Sequence, residues 1–224
     1  MKIKLLDVIF CGLIIGCSSV EAKDYNQSRE VAAHTILFDL YRGSINQGIK
    51  PTLEHAGFLI KKSDVSITEQ SLQAVEVLWI ATDSGREYQT DEIKAIKSFV
   101  KNGGTLICSG QAWAWGGDKK DINAFPLNQL GKELGFTITG LNIGEPSIIE
   151  SSLYMNGIES LTRTDWWPSK VEPLVRNYQV LVRDQDDKPM ALFIPMGKGR
   201  IFVFGNSGLL WDNPKLVLNI LNNK

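Results

Sequence analysis

The sequence predicts a three-layer α/β domain, a mainly parallel sheet flanked by helices with antiparallel strands at one edge. Short apolar runs of strand length alternate with segments whose apolar residues recur at helical spacing, the order that builds parallel strands joined by crossover helices. The helical segments open with a capping residue or proline and close at Gly or Asn. Toward the C-terminus three strand runs follow one another with turn residues between them, which pairs them antiparallel at a sheet edge. With 224 residues, 43% of them hydrophobic and 22% charged, the chain suits one globular domain with a substantial core.

His34 to Asp39 is the first buried strand, ended by Tyr41-Arg42-Gly43-Ser44. Asn46 to Ala56 has helical spacing at Ile49, Leu53 and Ala56, Gly57 closes it, and Phe58 to Lys61 resumes as a strand. Val75 to Ala81 is the most hydrophobic strand. Thr90 caps a helix with Asp91 and Glu92 in its positive first turn and Ile93, Ile96, Phe99 and Val100 on its buried face. Asn102-Gly103-Gly104 tolerates the left-handed backbone of a helix end, and Thr105 to Cys108 follows as a short buried strand. A loop rich in Gly and Trp spans 109–125, then a short helix runs from Leu127 to Leu134 and a strand from Phe136 to Thr139. Residues 140–171 read as an insertion. Gln179 to Asp184, Met190 to Pro195 and Arg200 to Phe204 are the edge strands. Pro214 opens the last helix, where its missing amide had no partner, and Leu216, Val217, Ile220 and Leu221 dock it.

Residues 1–22 read as an export signal, with Lys2 and Lys4 ahead of an apolar run from Val8 to Gly16 that is too short to span a bilayer. Two processing sites compete, and lipoprotein-type cleavage before Cys17 is favoured over ordinary cleavage after Ala22. Ile14-Ile15-Gly16-Cys17 resembles a lipoprotein signal with Cys17 lipidated, and Val20-Glu21-Ala22 suits ordinary cleavage before Lys23. The expectation is an exported protein, periplasmic or held at a membrane only through Cys17, with residues 23–224 forming the domain.

The formal charge is −1, with Lys and Arg spread among nearly equal numbers of carboxylates. There is no basic stripe to displace counterions from phosphates, which sets nucleic acid aside. Cys11 and Cys17 lie in the signal, so Cys108 is the one candidate thiol of the domain and no internal disulfide framework is expected. The zinc signature of two histidines on one helical face beside a glutamate is absent, and neither metal nor cofactor is expected.

The order strand, acidic-capped helix, Gly-Gly, strand, then Ile107-Cys108-Ser109-Gly110-Gln111 resembles the class I glutamine amidotransferase superfamily, of flavodoxin-like fold. In that family a cysteine sits on a sharp strand-to-helix turn beside backbone amides that hold an oxyanion, and Cys108 falls at the matching position. The family's Gly two residues earlier is Leu106 here, and the late His and Glu that activate the thiol are replaced by Phe204-Gly205-Asn206-Ser207-Gly208. Asparagine cannot exchange a proton near neutral pH, and the two histidines, His34 and His55, lie far upstream. Asn102-Gly103-Gly104, the Gly110 to Trp115 loop and the strand Gly197 to Gly205 resemble more closely the noncatalytic amidotransferase-like domains found beside enhancin-type metallopeptidases and in channel-associated factors. That resemblance implies fold more than function.

Trp113, Trp115, Trp166, Trp167 and Trp211 fall in expected loops or at strand ends, whereas Trp79 lies inside a strand. In an open α/β sheet the cleft lies beyond the carboxyl ends of the strands, which places Trp113, Trp115 and Trp211 on one rim. With Gln111, Asp118, Asn206 and Asp212 beside them they suit a sugar ring or a peptide. Asp83, in the polar run Asp83-Ser84-Gly85-Arg86, joins the same cleft or serves an ordinary turn. The plain alternatives are tryptophans that cover the core and a Cys108 that is a small buried apolar residue. The reading is a noncatalytic cell-envelope binding or adaptor module for glycan, peptide or a partner protein. Its binding residues are Gln111, Trp113, Trp115, Asp83, Asn206 and Trp211, and its rival is a cysteine-dependent hydrolase or transferase using Cys108.

Overall fold

Side chains of the central strands enter two cores by turns in the computed structural model, which describes residues 34–82, 85–115, 121–162 and 167–223. From β1 (Thr35–Asp39), Ile36 and Phe38 face one side and Leu37 the other. From β3 (Val77–Thr82), Trp79 and Ala81 oppose Leu78 and Ile80, and from β4 (Thr105–Gly110), Ile107 opposes Leu106 and Cys108. The period of two with both faces covered is why these strands read as continuous apolar runs.

The remaining strands are β2 (Leu59–Ser63), β5 (Phe136–Asn142), β6 (Ile148–Ile149), β7 (Ser169–Pro173), β8 (Gln179–Arg183), β9 (Pro189–Met196) and β10 (Gly199–Phe204). Eight of them form one sheet in the order β2-β1-β3-β4-β10-β9-β8-β6. The pairs from β2 to β10 are parallel, and β9, β8 and β6 continue antiparallel, so the expected mainly parallel sheet with an antiparallel edge is what the chain builds.

The helices α1 (Ile49–His55), α4 (Gly208–Trp211) and α5 (Pro214–Asn222) pack on the Trp79 face. On the Cys108 face lie α2 (Thr90–Lys101) and α3 (Pro126–Leu134). Phe38 stacks on Trp79 at 5.0 Å between centroids, and Tyr154, Phe193 and Phe202 form an aromatic cluster at 4.8 to 5.3 Å on that side.

Several expectations need adjusting. Thr90 is the first residue of α2 rather than its cap; Gln89 caps the helix, and Glu92 reaches back to the Gln89 amide to complete the box. The insertion at 140–171 supplies β6 to the far edge of the sheet and β7 to a separate two-stranded antiparallel sheet with β5. β4 continues two residues beyond Cys108 in unbroken register with β3 and, to Ser109, with β10.

Candidate functional site

Because β4 continues past it, Cys108 lies inside a strand rather than on a turn, with Ile80 and Val203 as its lateral neighbours. Its exposure is 0%, Leu106 beside it is equally buried, and burial pushes the thiol well above its ordinary range. His34 stands at the amino end of β1, paired with Glu76 at 2.8 Å, and His55 ends α1. Neither stands at the carboxyl end of the sheet, and the strand geometry removes the exposed elbow that a nucleophile requires. Cys108 is therefore the small buried residue of the plainer reading.

At the carboxyl ends of β4 and β10 side chains tie the chain together. Ser109 Oγ meets Ser207 Oγ at 2.8 Å, and the buried Asn206 accepts the Gly208 amide at 2.6 Å to start α4. Asn206 is thus turned into the fold and not toward a ligand. Gly205 is needed because a Cβ there would lie 1.9 Å from the Ser169 carbonyl oxygen. Ser169 in turn accepts the Trp113 amide at 3.2 Å, which carries the Trp loop onto β7.

Gln111 and Trp113 do meet, through a residue outside the expected rim. The Trp113 indole N–H donates to the Trp167 carbonyl at 2.6 Å, and the Gln111 side-chain amide donates to the same oxygen at 3.0 Å. Trp167, 53% exposed, is held at its backbone while its ring faces solvent. Trp115 and Trp211 do not share that rim. Trp115 packs on the Cys108-side core, edge-on to Phe125 at 5.7 Å, whereas Trp211 packs on the opposite core. Asp83, Asp118, Trp166 and Cys17 lie outside the described residues.

The densest polar constellation carries little signature in the sequence. Arg42 is 0% exposed in the loop after β1. Its guanidinium donates to Asp39 at 3.2 Å, to Glu92 at 2.6 Å and to the Glu87 carbonyl at 3.0 Å, and lies 3.9 Å from the Tyr88 ring centroid. Burial raises the Asp39 carboxyl above its ordinary range although Arg42 pulls it down, and burial and Asp39 together hold the Tyr88 hydroxyl far up. The one signal it leaves is an arginine three residues after a strand-end aspartate, in Asp39-Leu40-Tyr41-Arg42-Gly43.

A groove of about 640 Å³ opens at the other end of the sheet, beside Val77, Phe99, Thr105 and Arg200. It lies at the amino ends of β3, β4 and β10, away from the expected cleft.

Residues 39–150, half of the chain, match the family model TCAF_N, described as the TRPM8, N-terminal domain. A TRPM8 channel-associated factor homolog from Xenopus laevis is 26% identical over 118 residues, spanning 51% of this chain and 11% of the relative's own length. Among solved structures, the mmIFT52 N-terminal domain is 14% identical, with 85% of this chain and 98% of that one covered at a TM-score of 0.64. A GMP synthase protein from Thermoplasma acidophilum is 9% identical, covering 85% and 93% at 0.56. These likenesses give the fold, which is amidotransferase-like and flavodoxin-like.

The same comparisons overturn the expectation of an exported periplasmic or lipid-anchored protein. The matched family model is described by the N-terminal domain of TRPM8, and the frog relative is named a channel-associated factor homolog, not an envelope lipoprotein. A short apolar run behind two lysines is too unspecific a pattern to outweigh a match over half of the chain.

Proposed function

We propose, because the chain belongs to the TCAF_N family, that it is a noncatalytic adaptor module whose work is to bind a protein partner. The observation that carries this reading is the Trp167 ring, exposed to solvent while Gln111 and Trp113 fix its backbone from below. A large exposed aromatic on an anchored backbone is the kind of residue that nucleates protein interfaces, because it offers a wide apolar area with few rotatable bonds. Cys108, buried within a strand, supports the noncatalytic half of the reading.

A protein suits this surface better than a glycan. A sugar needs convergent hydrogen-bonding groups beside the ring, and here the Gln111 amide nitrogen and the Trp113 indole N–H are already engaged by the Trp167 carbonyl. The name of the frog relative ties that protein to a channel; a channel protein is accordingly the first partner class to test for this chain.

Chemical crosslinking of tagged protein in cells, with Trp167→Ala alongside, tests the reading. The expected result is one stoichiometric protein partner that the variant captures at least tenfold less well. Equal capture by both proteins, or turnover of glutamine by the purified domain, would contradict it.

A further inference from the structure

The connection that leaves β1 goes to β2 on one side, and the connection that leaves its neighbour β3 goes to β4 on the other. In open α/β sheets such a reversal opens a crevice above the carboxyl ends of the two central strands, and that crevice is where ligands are held. Here the chain fills it. Leaving Asp39, the loop first bonds over the end of β2, where the Leu40 and Tyr41 amides donate to the Ser63 carbonyl at 2.7 and 3.1 Å. It then crosses to the end of β3, where Gly43 bridges to Thr82. Gly43 comes so close that a Cβ would lie 1.6 Å from the Ala81 carbonyl oxygen.

Arg42, between these two anchor points, points its guanidinium into the enclosed space. Asp39 receives it from β1, Glu92 from the first turn of α2, the Glu87 carbonyl from the loop between, and the Tyr88 ring from one flat side. Glu92 is itself fixed by the Ile67 amide on Oε1 and the Gln89 amide on Oε2, both at 2.9 Å. Two carboxylates, a carbonyl and an aromatic face around one planar cation are the parts of a guanidinium receptor.

We propose that the switch-point crevice of this sheet is a guanidinium-binding site occupied in cis, with Arg42 as its built-in ligand. The inference stands apart from the partner-binding reading. Its consequence is that phosphates, nucleotides and carboxylate substrates are excluded from this place, by the two carboxylates that line it and by the loop that closes it. The surface outside the loop is what remains for recognition.

Chemical complementation tests this in the full chain. Arg42→Ala removes the atoms that ethylguanidinium replaces. The variant is expected to melt roughly 6–20 °C below the wild type, as a buried charge pair loses one member. Ethylguanidinium at about tenfold over its dissociation constant then raises the variant's Tm by about 3–6 °C, while equal ethylammonium does not. The wild type shows no such gain because its site is filled, and Asp39→Asn added to Arg42→Ala abolishes the response. Should Arg42→Ala fail to fold alone, its refolding yield with ethylguanidinium against ethylammonium is the readout. Equal effects of the two cations, or the same gain in the wild type, would overturn the proposal.

Discussion

Burial disfavours the charged form of two acidic groups of this sheet. At Cys108 burial, with Asp39 adding to it, keeps the thiol protonated and out of reach. Mass spectrometry of its peptide is expected to show no alkylation in native protein and full alkylation after denaturation; native labelling would restore the enzymatic rival. Asp39 is buried against Arg42, yet its carboxyl still sits above the ordinary range, burial being the larger influence. A carboxyl raised on folding holds its proton more firmly in the native state, so its contribution is largest at low pH and declines as pH rises from the ordinary carboxylate range through the raised value. The stability difference between wild type and Asp39→Asn is therefore expected to shrink with rising pH across that window, as followed by urea denaturation; a growing difference would contradict the assigned direction. Neither Asp39 nor Arg42 was legible as a site. A strand-end aspartate followed by Leu-Tyr-Arg-Gly reads as ordinary turn chemistry, and Glu92 lies 50 residues from Arg42, brought to it only by the fold.

At the scale of elements, legibility follows burial on both faces. The central strands and α5 carry uninterrupted apolar patterns, so their places could be read directly, and α2 added its acidic first turn. The pattern fails where an element is short or half exposed. β6 has two residues, α4 has four, and β5, paired with β7 from Phe136 onward, loses its burial toward its end. The single tryptophan rim failed for the same reason, since helical turns after β4 and β10 send Trp115 and Trp211 to opposite faces, a divergence that depends on packing and not on spacing. The loop after β1 makes its own demand on sequence at Gly43. Gly43→Ala is expected to push the loop off Ala81 and cost about 1–3 kcal/mol in chemical denaturation, with the Arg42 contacts loosened alongside. An alanine variant as stable as the wild type would mean that the loop does not close the crevice.

For the whole molecule, the two ends of the sheet differ in kind. The carboxyl end, where the fold class holds its ligands, is closed by Arg42 and its loop, and its outer surface carries the exposed Trp167 ring on a hydrogen-bonded backbone. The amino end carries an open groove with Arg200 bonded to Thr105 and to the Asn223 carbonyl. The surface indole was the part of the site least visible in advance. Trp166 and Trp167 are adjacent, and nothing in the sequence says which carbonyl would gather Gln111 and Trp113. A solvent-facing ring contributes little to folding, so Trp167→Ala is expected to alter stability by no more than about 0.5 kcal/mol. As an interface anchor its loss would weaken binding by about 2 kcal/mol or more, roughly thirtyfold. The most direct measurement is the affinity of wild type and Trp167→Ala for the crosslinked partner, each protein first shown by thermal melting to be folded. An unchanged melt with that thirtyfold loss is expected; unchanged affinity in a folded variant would contradict an anchoring role for Trp167.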